Sequence, residues 1–74
     1  MEKFYTVVRI IYKGQTESHS VEHKATLKEA QKRLYSIIAT DFADESVTWC
    51  AAYLINSDGV MMEGKVFDKS ESEE

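Results

Sequence analysis

The chain has 74 residues, 43% of them hydrophobic and 30% charged, with a formal net charge of −4. That length allows one domain with a thin core. Cys50 is the single cysteine, which excludes an internal disulfide, and no apolar run approaches the about 20 residues of a membrane-spanning helix. A lone thiol and no apolar leader lead us to expect a reducing, cytoplasmic setting. The charge is uneven. Residues 68–74, "DKSESEE", hold four acids and one Lys, whereas residues 1–67 hold nine acids and eight Lys or Arg. The expected organisation is one domain over 1–67 followed by an acidic, flexible tail over 68–74. A nearly neutral body gives no electrostatic reason to expect nucleic-acid binding.

Residues 3–13, "KFYTVVRIIYK", are rich in β-branched and aromatic types and predict a central strand. "KGQTE" follows as a polar connection, with Gly14 supplying the turn. Residues 18–25, "SHSVEHKA", are more polar and suit an edge strand paired with the first. Thr26 and Glu29 then form the S/T-x-x-E pattern of a capping box. Beyond it, Leu27, Ala30, Leu34, Ile37, Ile38 and Phe42 fall on one stripe, predicting a helix over 27–42. Residues 47–55, "VTWCAAYLI", predict a third strand, "NSDG" a hairpin turn, and 60–67, "VMMEGKVF", a fourth strand.

The order is β-β-α-β-β. The expected fold is α+β: a four-stranded, mainly antiparallel sheet with one helix packed on one face. Strand orders 2-1-3-4 and 2-1-4-3 both remain open.

One helix covers one sheet face, so each strand has a covered and an uncovered side. On the third strand the small or aliphatic Cys50, Ala52 and Leu54 suit the helix side. On the first the charge-free Val8 and Ile10 do, and on the fourth Val60, Met62, Gly64 and Val66. The expected open face is then Tyr5, Val7, Arg9, Ile11, Trp49, Tyr53, Met61 and Phe67. An apolar patch of that size is rare on a monomer, and aromatics, Met and Arg are enriched at interfaces. The reading is a partner or homodimer interface. The alternatives are a strand with its faces reversed and a tail folded back over the patch.

"HSVEH" at 19–23 fits H-x-x-E-H, a zinc-peptidase spacing. The chemistry requires a helix, where residues four apart lie about 6 Å apart on one face. On a strand the same two positions are about 13 Å apart and share no metal. The capping box at Thr26 starts the helix after the motif, so His19 and His23 are expected on the edge strand, with no metal site. Cys50, among apolar neighbours, reads as a buried, inert thiol. Gly14, Gly59 and Gly64 are isolated and form no phosphate loop. No pair of carboxylates is singled out for acid–base work. We expect no catalytic residues, no cofactor and no enzymatic activity. An aromatic sheet face can also stack bases, with Arg9 and Lys65 as phosphate contacts, and this is the competing expectation.

The segments "KFYTVVRI", "HSVEHKATLKEAQKR" and "LINSDGVMMEGKVFD" resemble small proteins carried by bacteriophages and mobile elements of gut bacteria. The resemblance implies a protein that binds and modulates a host protein, such as a component of a defence system. It carries over no functional residue.

Overall fold

A computed structural model describes residues 3–69. Its elements are β1 (Tyr5–Lys13), β2 (Thr16–Lys24), α1 (Leu27–Ala43), β3 (Trp49–Asn56) and β4 (Met61–Asp68). They form one antiparallel sheet in the order β2-β1-β3-β4. This selects the first of the two expected orders. The two most apolar strands, β1 and β3, lie in the centre, and the polar β2 and β4 occupy the edges, where exposed charge discourages further pairing.

The connections follow from local chemistry. Gly14, at φ +65°, turns β1 into β2. In the β3–β4 turn the Asn56 side chain accepts from Asp58 N–H at 2.9 Å and Val60 N–H at 3.0 Å, and Gly59 takes φ +83°. Thr26 caps α1, its hydroxyl accepting from Glu29 N–H at 3.1 Å. At the other end, α1 has no basic residue in its last turn. Lys69 supplies the cation instead: its Nζ donates to the carbonyls of Asp41, Phe42 and Asp44 at 3.2, 2.8 and 2.7 Å. Asp68 closes β4 and Lys69 ties it to the helix. The first two residues of the expected tail therefore belong to the fold, and 70–74 lie outside the described residues.

The helix packs on Val7, Ala52 and Leu54 through Ala30, Leu34 and Ile37, with Tyr5, Leu27 and Ile38 at the margin. Ile11, Val47 and Cys50 continue this layer, joined by Phe67. Full burial of side chains such as Leu34, Leu54 and Val7 stabilises by about 1.5–3 kcal/mol each. Cys50, Ala52 and Leu54 thus face the helix as expected.

β1 and most of β4 are the reverse of the expectation. Tyr5, Val7, Arg9 and Ile11 lie on the helix side, and Val8 and Ile10 turn away. The charged Arg9 was expected outside because a lone guanidinium is costly beneath a helix. It is not alone. Asp41, 1% exposed, sits on the buried stripe of α1. Arg9 Nε and Nη2 donate to its two carboxylate oxygens at 3.0 and 2.5 Å. On β4, Phe67 packs into the Ile11–Cys50 layer and edge-on to Phe42, ring centres 5.2 Å apart. Glu63 accepts from the Tyr35 hydroxyl of α1 at 2.7 Å. Lys65 pairs with Ala52 and shares its helix side.

Polar bonds also tie the helix to the edges. Arg33 donates to Glu22 of β2 through Nε at 2.9 and 3.0 Å. That hydrogen bond is the chief reason the Glu22 carboxyl is held below the usual Glu range. No described helix is long and apolar enough to cross a membrane.

Breaking the Arg9–Asp41 pair from one side should cost about 3 kcal/mol, at the low end for buried pairs because the Arg9 side chain remains 31% exposed. Arg9→Met and Asp41→Leu are each expected to lower urea stability by about that much, and the double variant to recover most of it. Additive losses in the double variant would count against the pair as the organiser of this layer. Thr26→Ala should cost about 1 kcal/mol in the same assay. Because the Glu22 carboxyl is lowered in the folded chain, its contribution is complete above the ordinary value of 4.5 and is lost as the pH falls through the lowered value. The stability gap between wild type and Glu22→Gln should therefore shrink as the solution is acidified below that value.

Candidate interaction surface

Antiparallel partners share a face, so the pairing defines the side of the sheet away from α1. Across β2-β1-β3-β4 its rows read His23, Thr6, Ile55, Met61; Val21, Val8, Tyr53, Gly64; His19, Ile10, Ala51, Val66; Glu17, Tyr12, Trp49, Asp68. The two middle strands give it an apolar centre. Val21, Met61 and Val66 are each among the exposed large hydrophobics. Among the described residues, the strands carry no Lys or Arg on this side. Its Asp, Glu and His residues are Glu17, His19 and His23 on β2 and Asp68 at the end of β4.

Of the eight residues expected on the open face, Trp49, Tyr53 and Met61 lie there. Tyr5, Val7, Arg9, Ile11 and Phe67 do not, for the packing reasons given above. Met61 arrives by a route that alternation does not foresee. A bulge at Leu54/Ile55 shifts the register and sets Met61 opposite Ile55. A Cβ placed on Gly64 would lie 2.8 Å from the Tyr53 ring and 3.0 Å from the Met61 sulfur. Gly64 is thus the floor on which the Tyr53 ring and the thioether rest. The residues that reasoning from sequence missed are Val8, Ile10, Tyr12, Val21, Ala51, Ile55 and Val66. The available signal was Val8, Ile10 and Tyr12, an unbroken uncharged alternation in β1.

At one end Tyr12 and Trp49 meet edge to face, with ring centres 5.5 Å apart. A shallow depression of about 420 Å³ lies beside them, lined by Tyr12, Gly14, Thr48 and Trp49. At the other end His23 receives Phe4 edge-on at 5.7 Å, and its Nδ1 lies 3.0 Å from the Thr6 hydroxyl. The "HSVEH" motif is part of β2, as expected, and its histidines have separate partners: His19 Nε2 is 2.6 Å from a Glu17 oxygen. Among the described residues no three His, Cys, Asp or Glu side chains are placed to hold a metal ion.

On the helix side a second depression, about 280 Å³, is lined by Arg9, Ile11, Lys13, Ser18, His19 and Ser20. Its cations are already engaged: Arg9 with Asp41, and Lys13 Nζ with Asp44 at 3.8 Å. This also removes Arg9 from the phosphate-contact role expected of it, and Lys65 lies on the same wrong side of the sheet for that role. Cys50 is buried, and that burial is the main cause raising its thiol above the usual range, which leaves little thiolate to react. Comparison with known protein families, with curated proteins and with solved structures finds no match.

Gly64→Ala should displace the Tyr53 ring and Met61, whose side chains can give way, and cost about 1 kcal/mol. Shifts of the Tyr53 ring and Met61 methyl resonances, with the α1 signals unchanged, would check it. Cys50 should resist a thiol reagent in the native protein and react at the rate of global unfolding; rapid native labelling would contradict its placement.

Proposed function

We propose that the chain is a non-enzymatic protein-binding module that engages its partner through the open sheet face. One observation carries this reading: the sheet side away from α1 is a continuous apolar surface, rimmed by two acids and two histidines. Burying such a surface against another protein gains hydrophobic free energy without desolvating an arginine or lysine. Trp49, Tyr53 and Tyr12 are the side-chain types that dominate binding energy when they seat in a partner.

The same face argues against single-stranded nucleic acid. Aromatic stacking needs cations to follow the phosphate backbone. Here the cations of the sheet lie on the helix side, and the charged groups at the rim are acids. The resemblance to bacteriophage proteins suggests a host protein as the eventual target, and a reducing, cytoplasmic setting suits the buried free thiol.

Tyr53→Ala removes the largest central side chain of the face without touching the helix layer. It should weaken protein association at least about tenfold while leaving the far-ultraviolet circular dichroism unchanged. Short single-stranded oligonucleotides should not quench Trp49 fluorescence at low salt. Quenching that added salt reverses would replace this reading with nucleic-acid binding.

A further inference from the structure

We propose that the molecule covering the open face is a second copy of this chain, stacked sheet to sheet about a two-fold axis running across the strands. The inference rests on reading that face as a protein-binding surface, and it adds the partner and its orientation.

Size is the first argument. Four strands about 4.8 Å apart, with about eight residues each at 3.3 Å, make a face of about 20 by 25 Å. Two such faces in contact bury on the order of 1,000–1,200 Å² in total, at the low end for specific interfaces. The sheet is a single layer with core on one side only, and a second sheet completes the sandwich. Residues 70–74 are Ser and Glu only and carry no apolar side chain.

Charge is the second argument, and it selects the orientation. A two-fold contact opposes the same patch to itself, so a strongly charged face repels its copy. This face has no Lys or Arg, and its acids stand at one end only, Glu17 on β2 and Asp68 on β4. An axis along the strands lays β2 antiparallel over the partner's β4 and keeps each row against itself. It brings Glu17 onto the partner's Asp68 twice. An axis across the strands lays β2 over the partner's β2 reversed. Glu17 then approaches the partner's His23, and Asp68 approaches the uncharged Met61 end of β4. The reversed rows also set the bulky Tyr53 over the small Ala51 of the second copy.

Sedimentation equilibrium of the full chain over nanomolar to high micromolar concentration tests this. A reversible monomer–dimer equilibrium is expected, with Val8→Glu weakening it about a hundredfold or more and circular dichroism unchanged, since Val8 faces away from α1. Asp68→Lys distinguishes the orientations: along-strand stacking would pair the new lysine with the partner's Glu17 and tighten the dimer, and tightening overturns the axis proposed here. A monomer throughout the range that still binds a hydrophobic dye, with the dye lost in Val8→Glu, overturns the second copy but leaves a protein-binding face. A monomer that binds no dye overturns both readings.

Discussion

The bidentate bond between Arg9 and Asp41 decides which side of β1 faces the helix. A strand has only two sides, and a one-residue change of phase exchanges them. Placing Arg9 beneath α1 brings Val7 and Ile11 with it into the core and turns Val8, Ile10 and Tyr12 outward. Because β1 pairs with both β2 and β3, that phase spreads through the sheet. The price of an unpaired buried carboxylate holds it there: slipping β1 by one residue would leave Asp41 buried without its guanidinium.

The remaining polar links reinforce the same placement at the margins. Arg33 reaches Glu22 on one edge strand, Tyr35 reaches Glu63 on the other, and Lys69 closes the helix end from the last residue of the described chain. Helix and sheet are thus joined by an apolar centre with hydrogen bonds around it. The consequence lies on the opposite side. With its Arg and Lys residues drawn to the helix layer, the sheet leaves behind a face that is apolar and carries charge only at its borders. The proposed function and the proposed dimer both depend on that partition of charge.

Much of the fold was legible in the sequence. The capping box at Thr26 started the helix one residue later, and it removed "HSVEH" from helical geometry, as the placement of both histidines on β2 bears out. The small residues Cys50 and Ala52 marked the covered side of β3. β1 misled because both of its sides are largely apolar and the charges on one side, Arg9 and Lys13, read as solvent markers. A clue was present on the helix: Asp41 continues the spacing of Ala30, Leu34 and Ile37. An acid on a buried stripe calls for a cation on the surface it meets, and Arg9 is the cation in the middle of the central strand, Lys13 standing at its end.

By itself the sequence determined the element order, the helix cap, the turn glycines and the likeness of β2 to a polar edge strand. These depend on residues near one another in the chain, whose propensities act over a few positions. The tertiary structure alone decided the phase of β1, the strand order and the bulge that carries Met61 to the open face. Each depends on groups far apart in sequence, Arg9 and Asp41 above all, whose free energy of pairing exists only once the helix has crossed the sheet.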